Sequence, residues 1–289
     1  MKKLFFFILA FAGLFLPHRV EAAVVPELWR NTPLRFETEA QMQPEIRRYA
    51  NDSRMTYYLI LRAYSVGTLK PAVLTYYKMM RAQPRDANLN AAFAFSHFMA
   101  TGYYWDRYPK PDDELRMIES GAYGSRDRSV ELSPNDPAIL LMAARGRFFS
   151  NAYRFAGAIP DMKQGLAWGQ KAVAKDSKWP ESHFWLGKMW LYFAGNNVKA
   201  TKSQQTQWNR RAFNLFQTAL RLGGDPMRPS CYLEFRNYYD WSLHQYQIAL
   251  RYHDAAVALL PSNHINQKQF ATRRKSLLEG IAYQQKKRG

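Results

Sequence analysis

The chain has 289 residues, with 41 Lys and Arg against 23 Asp and Glu, a formal net charge of +18 and a single cysteine, Cys231. One cysteine forms no internal disulfide, so burial must stabilise the fold, and a chain of this length can bury enough surface to do so. So basic a chain would suggest a nucleic-acid partner in a cytosolic protein, but the N-terminal segment argues against that class of partner.

The first 22 residues have the features of a secretory signal. Lys2 and Lys3 precede an apolar run, Leu4–Leu16, that is too short to span a bilayer, and a Val-x-Ala sequence ending at Ala22 fits a cleavage site. We therefore expect cleavage after Ala22 and a periplasmic or secreted chain. An uncleaved membrane anchor is the alternative. No other apolar run approaches spanning length, so no transmembrane segment is expected after signal removal.

Beyond the signal, three prolines restrict helices in the lead-in to short pieces. The sequence predicts four segments: a signal peptide over 1–22, a lead-in over 23–52, a helical repeat domain over 53–264, and a basic capping helix and tail over 265–289.

One spacing recurs along the repeat domain: a small residue, a larger residue four positions later, a small or apolar residue three after that, and then a helix breaker. The copies are Ala72, Tyr76 and Met79 before Pro84; Ala122, Arg126 and Ser129 before Pro134; Ala212, Phe216 and Ala219 before Gly223; and Ala249, His253 and Ala256 before Pro261. Repeated copies of one helical unit predict a stacked array, in which each unit buries its face against its neighbours.

The first copy lies in a 34-residue unit, Ser53–Asp86, where Gly67 separates predicted helices over Met55–Val66 and Leu69–Ala82. A helix–turn–helix unit of this length resembles the tetratricopeptide repeat (TPR). The best match to the family's first helix is His183, Leu186, Gly187 and Trp190, where the family usually has Trp, Leu, Gly and Tyr.

The resemblance covers roughly residues 53–261, in about five degenerate units. It implies an all-α, right-handed superhelical solenoid of helix hairpins with a C-terminal capping helix. The predicted cap is a basic amphipathic helix over Ile265–Lys287, with Phe270, Leu277, Leu278 and Ile281 on one face. An irregular all-helical bundle is the alternative fold.

Three segments between paired helices are longer than in the first unit: residues 102–109, 151–157 and 195–206, which contain aromatic and basic residues. In a stacked array these turns lie along one edge. They either form a recognition rim or only extend the paired helices.

No nucleophile elbow, phosphate-binding glycine loop or H-E-x-x-H motif occurs in the sequence, and no histidines are spaced as an i, i+4 pair. We therefore expect no catalytic residues, no metal and no cofactor. Binding is the remaining class of function.

The TPR resemblance implies a concave groove, built from first helices, that holds a peptide or partner segment. The family's groove-facing spacing falls here on Arg54, Tyr57, Tyr58, Phe95, Arg145, Phe184, Trp185, Lys188 and Tyr192. The aromatic rings would supply contact area, and Arg145 would add charge at the rim, so an acidic partner is one candidate and association with the cell envelope is another open expectation. Core packing of several of these rings is the competing interpretation.

The alternative function is a small-molecule-binding accessory component of a periplasmic transport system, in which the inserted loops close an apolar cavity.

Overall fold

The computed structural model describes residues 28–101, 113–150, 159–197, 199–261 and 267–287. The predicted signal and the inserted segments 102–109 and 151–157 lie outside the described residues. Within them the chain is all-α, as predicted, with thirteen α-helices, two short 3-10 helices and one π-helical turn.

The α-helices are α1 (Glu39–Arg48), α2 (Ser53–Val66), α3 (Leu69–Ala82), α4 (Ala87–Thr101), α5 (Asp113–Met117), α6 (Glu119–Leu132), α7 (Pro137–Phe149), α8 (Ile159–Lys175), α9 (Pro180–Asn196), α10 (Lys202–Gly223), α11 (Arg228–Asn237), α12 (Tyr246–Ala258) and α13 (Gln267–Lys286). They pair as five antiparallel hairpins that we number as units: α2 with α3, α4 with α6, α7 with α8, α9 with α10, and α11 with α12. Helix α13 packs on α12 and caps the array.

Local sequence explains where the helices begin and end. Asp52 caps α2 by accepting the Met55 backbone N–H at 2.9 Å, and Gly67 ends the helix in the left-handed region at φ +81°. Asp136 caps α7 in the same way, with Pro137 at the first helical position, where its missing N–H costs nothing. The predicted helix over Leu69–Ala82 is confirmed at both ends.

The recurring spacing is the buried stripe of the second helix in units one, two, four and five. Its small and large positions are buried in four copies: Ala72 and Tyr76; Ala122, Arg126 and Ser129; Ala212, Phe216 and Ala219; and Ala249, His253 and Ala256. The stripe packs on the first helix of the same unit. At Gly187 the two helices approach so closely that a Cβ atom would lie 2.7 Å from Phe216 Cε1. This confirms the close helix contact that the repeat pattern predicts.

Some local expectations need correction. The lead-in contains a ten-residue helix, α1, that continues through Pro44. The acidic pair Asp112-Asp113 predicts a helix from Glu114 onward, but this helix is interrupted at Ile118, which separates the short α5 from α6. In α13, Phe270 and Leu277 are buried, but Leu278 is 43 % exposed, so the apolar face is narrower than predicted.

The third inserted segment is mostly taken up by helix extension, because α9 runs to Asn196 and α10 begins at Lys202. Among the described residues, no helix is both long enough and apolar enough to cross a membrane.

Candidate functional site

The nine side chains predicted to line a groove converge at the centre of the array, but eight of them are buried. These eight are Tyr57, Tyr58, Phe95, Arg145, Phe184, Trp185, Lys188 and Tyr192, none more than 9 % exposed. Within the set, only Arg54 keeps substantial accessible surface, 43 % of its side chain. The structure therefore does not form an open basic groove at these positions. Their contact with a partner stays a prediction.

The eight buried side chains form what we call the aromatic–cationic cluster. Arg145 lies inside it, so the expectation that Arg145 places a charge at the rim of a groove is wrong. Its Cζ is 3.6 Å from the centroid of the Trp185 ring and 4.5 Å from that of Phe95. Its Nη1 donates to the Tyr57 hydroxyl at 2.9 Å. Aromatic faces attract a desolvated cation more strongly than an exposed one. Arg145 thereby joins the first helices of units one to four.

Lys188 is also held within the structure. Its Nζ lies 2.9 Å from Oε1 of Glu234, and the two side chains are 2 % and 6 % exposed. The ammonium is 5.3 Å from the centroid of the Trp185 ring. A buried pair of this kind gains little net stability, but removing one partner leaves an uncompensated charge. Lys188 therefore ties α9 to α11.

The array curls far enough for unit one to contact the turn before α9. Trp179 Nε1 donates to the Tyr58 hydroxyl at 2.9 Å, across 121 positions of sequence. Arg54 pairs with Asp176 and lies 4.8 Å from the centroid of the Trp179 ring. These contacts close the centre of the array, which is why the predicted groove is filled by its own side chains.

The sequence-based prediction did not include Glu181, a titratable group that lies at this centre. Glu181, in the first turn of α9, is fully buried, and neither of its carboxylate oxygens has a hydrogen-bond partner among the described residues. Burial raises the pKa of Glu181 to about 7, and the nearby Tyr58 hydroxyl and the charges of Arg54 and Arg145 offset only part of that cost.

A separate cavity of about 460 Å³ lies between α4, α6 and α7. We call it the unit-two cavity. Its apolar wall consists of Ala91, Ala94, Phe95, Phe98, Met142 and Ala143. Thr101 and Ser150 also line it, and they are the last described residues before the two inserted segments. The cavity thus lies where the chain enters both insertions.

The residue at the large position of the second-helix stripe explains why this cavity is present. In unit two that residue is Arg126, whose Nε donates to Asp127 Oδ1 at 2.8 Å. Although burial opposes ionisation, Arg126 and Arg147 hold the pKa of Asp127 below its usual value. The ion pair therefore draws the guanidinium towards the neighbouring carboxylate. Small residues opposite, among them Ala94 and Gly146, leave the space open.

Half of the residues that line the unit-two cavity are polar, but most of their polar groups are engaged in hydrogen bonds or ion pairs. His97 Nε2 lies 2.9 Å from the Leu115 carbonyl oxygen, and burial lowers the pKa of the imidazole, so the ring is neutral and donates. Glu119 accepts a hydrogen bond from the Tyr123 hydroxyl at 3.1 Å. Arg116 keeps 58 % of its side chain exposed, although its Nη1 lies 3.5 Å from Oδ1 of the exposed Asp113. The site therefore offers an apolar pocket with one accessible cation beside it.

The sequence-based prediction named Phe95 but no other residue of this cavity, because it took only the groove-facing positions of first helices. One sign was available: Arg126 occupies the stripe position where other units carry Tyr76 or Phe216. A cation in that place indicates that the space between the paired helices is not filled by a ring. The described residues contain no group of three or more His, Cys, Asp or Glu side chains that could hold a metal ion.

Comparison with known proteins gives matches among solved structures alone, since no family model and no curated protein matches the chain significantly. TTC0263, a thermophilic TPR protein of Thermus thermophilus, superposes with a TM-score of 0.54 over 78 % of this chain and 98 % of its own, at 14 % identity. The chain has a TPR-like fold. An identity of 14 % shows the fold alone.

Two further TPR-fold matches are weaker. MamA superposes with a TM-score of 0.41 at 13 % identity, over 68 % of this chain and 92 % of its own. YrrB, described as a TPR protein with an unusual peptide-binding site, has a TM-score of 0.41 at 14 % identity, over 83 % of this chain and all of its own.

Proposed function

We propose that this TPR-like protein is an exported, non-catalytic scaffold that holds a segment of a partner protein by receiving an apolar side chain in the unit-two cavity. The observation that carries the proposal is the cavity itself: about 460 Å³, walled by Ala94, Phe98 and Met142 and bordered by the exposed Arg116. The buried aromatic–cationic cluster supports the same choice of site, because it leaves the concave centre filled.

Partner chemistry follows from the cavity and the charge of the chain. An apolar anchor suits the alanine, phenylalanine and methionine walls, because burying its surface drives association. A carboxylate next to the anchor would replace Asp113 as the partner of Arg116, and the excess of Lys and Arg over Asp and Glu favours the approach of an acidic partner. An acidic segment with one apolar or aromatic anchor therefore fits best.

Photo-crosslinking in intact cells tests the partner. A crosslinker replaces Tyr123, which lines the cavity and is 37 % exposed, or, as the control, Tyr283 on α13, which is 64 % exposed. We expect one discrete protein adduct from position 123 and none of that mass from position 283. Filling the cavity with Ala94→Leu should remove the adduct. The same adduct from both positions would contradict the proposed site.

Export is the second component of the proposal. It is supported by the charged start, the short apolar run and the small-residue ending at Ala22. The intact mass of the protein recovered from the cell envelope should correspond to a chain that begins at Ala23. A recovered chain that still begins at Met1 would reject processing at this position.

A small-molecule-binding role in periplasmic transport is a second candidate, because the cavity volume falls within the roughly 300–1,000 Å³ typical of small-molecule pockets. Native mass spectrometry of protein purified from cells would show a bound molecule of constant mass. The Ala94→Leu variant should lose it. A bound small molecule together with no protein adduct at Tyr123 would favour this candidate over the scaffold.

A further inference from the structure

We propose that the outer face of α13 docks the protein on an anionic lipid surface. This face carries Lys268, Lys275 and Lys286, and Lys287 follows the last residue of the helix. We call these four residues the lysine row. The proposal is independent of the unit-two cavity, because it rests on a different helix and on a different kind of contact.

Helix geometry places these charges in one line. At 3.6 residues per turn, Lys268, Lys275 and Lys286 fall within about 20° of one another around the helix and span about 27 Å along it. All four lysines are exposed. Glu279, the single acidic residue of the helix, is also exposed and lies within about 40° of the three lysines around the helix. The result is a long, narrow strip that carries three positive charges and one negative charge.

The two charge types of the helix have different roles. Arg273 pairs with Asp240, and Arg274 Nε lies 2.9 Å from Asp254 Oδ1, so the arginines hold α13 on the preceding unit. The four lysines form no ion pair with any residue in the described part of the chain. Their charge remains available to an external partner.

Apolar side chains flank the lysine row. Leu278 is 43 % exposed and Tyr283 is 64 % exposed, while Phe270 and Leu277 on the opposite side are buried against the array. The exposed aliphatic and aromatic residues beside the lysines can contact the boundary between headgroups and acyl chains while the lysines meet anionic headgroups. Such a face suits an extended lipid surface better than a compact acidic ligand, because the charges are spread along a straight line without a cleft.

Vesicle co-sedimentation tests the proposal. The probe is vesicles of phosphatidylglycerol and phosphatidylcholine, compared with phosphatidylcholine alone, at low and high salt. The protein is the processed chain, with its first residue verified by intact mass, so that the apolar N-terminal run does not contribute. We expect salt-sensitive binding to the anionic vesicles only, since screened attraction to anionic headgroups supplies the affinity.

A matched pair of variants separates this surface from net charge. The first variant carries Lys268→Gln, Lys275→Gln, Lys286→Gln and Lys287→Gln. The control removes four exposed lysines on or next to α8, through Lys163→Gln, Lys171→Gln, Lys175→Gln and Lys178→Gln. The first should lower the vesicle partition coefficient about tenfold or more, and the control by less than about threefold. Equal losses in both variants would overturn the proposal.

A second variant tests the apolar contribution. Leu278→Ala with Tyr283→Ala changes no charge, and both residues are exposed, so folding should be preserved. We expect a several-fold loss of vesicle binding with an unchanged melting temperature. Unchanged vesicle binding in this variant, or binding to soluble polyglutamate as tight as to vesicles, would reject a lipid surface in favour of general attraction to anions.

Discussion

Equivalent positions of the repeat are closely packed in unit four and line a cavity in unit two. In unit four, Gly187 stands seven residues into the first helix, and the Phe216 ring fills the space against it, 2.7 Å from where a Cβ atom would lie. In unit two the equivalent residues are Ala94 and Arg126, and both line the cavity of about 460 Å³.

The difference teaches that one side chain decides whether a hairpin is closed. A ring at the large position of the stripe packs against the first helix. A guanidinium there pairs with a carboxylate instead, and Arg126 pairs with Asp127 on its own helix. A repeat can thus lose the packing between its two helices at one position and form a cavity there, while the residue spacing of the second helix is kept.

A second pair of equivalent positions, 88 and 181, differs in hydrogen bonding. Asn88 follows the first residue of α4, and its amide donates to the Ala50 carbonyl oxygen at 2.6 Å and to Thr56 Oγ1 at 3.0 Å. Glu181 occupies this position in α9 and is fully buried without a hydrogen-bond partner among the described residues. Among the described residues, Asn88 thus leaves one oxygen, Oδ1, without a hydrogen-bond partner, whereas Glu181 leaves both carboxylate oxygens without one.

The largest expected effect comes from removing the ring of unit four. Phe216→Ala should lower the free energy of unfolding by about 4 kcal/mol, because a buried ring is lost and a cavity remains. Arg126→Ala, the equivalent change in unit two, should cost about 1 kcal/mol or less, since Arg147 still pairs with Asp127. Urea unfolding of the two variants measures the difference. Similar losses would mean that the two hairpins are packed alike.

Glu181 should make stability depend on pH. Its pKa is raised from 4.5 to about 7 by burial, so the folded chain binds a proton that the unfolded chain has released. The stabilisation is complete below pH 4.5 and is lost as pH rises through about 7, a change of about 3 kcal/mol from this group. Unfolding measured between about pH 4.5 and 8 should therefore show falling stability.

Glu181→Gln should flatten this profile and exceed the wild type in stability at about pH 8. Asn88→Ala is the control: it should lower stability by about 1–2 kcal/mol at every pH, because it removes hydrogen bonds of a group that does not titrate. A wild-type profile that rises with pH across this range would contradict the buried, protonated state of Glu181.

A larger side chain at the equivalent positions 187 and 94 should affect the stability of the two hairpins differently. Gly187→Leu should destabilise the protein by more than about 2 kcal/mol, since the new side chain meets Phe216 and the Ala212 carbonyl. Ala94→Leu places the same side chain in the unit-two cavity and should change stability by less than about 1 kcal/mol. Melting temperatures of the two variants provide the measurement, and an unchanged value for Gly187→Leu would show that α9 and α10 do not approach closely.

The smallest effect is expected from making unit two resemble unit four. Arg126→Phe should fill the unit-two cavity and stabilise the fold by about 1 kcal/mol, as cavity-filling changes commonly do. The same variant should lose the adduct crosslinked from Tyr123. Retention of that adduct in a folded, stabilised variant would place the binding site elsewhere.

Much of the fold could be predicted because its causes are local. Helical spacing, the breakers Gly67 and Pro84, and the small residue at Gly187 act within one or two turns of chain, so helix ends and buried stripes follow from them. The exposed Leu278 was mispredicted for a tertiary reason, because spacing alone does not show how wide a face the preceding unit covers.

The sequence by itself determined the unit: paired helices, their breakers and the stripe that each second helix buries. Only the tertiary structure decided whether the inner faces of the first helices are exposed or buried. Their inner faces meet because the array curls until Tyr58 reaches Trp179, 121 positions away. Arg145 is buried among rings of units one, two and four, and Lys188 is buried against Glu234 of α11. No short-range pattern encodes that curvature, since it is the sum of small rotations between successive units.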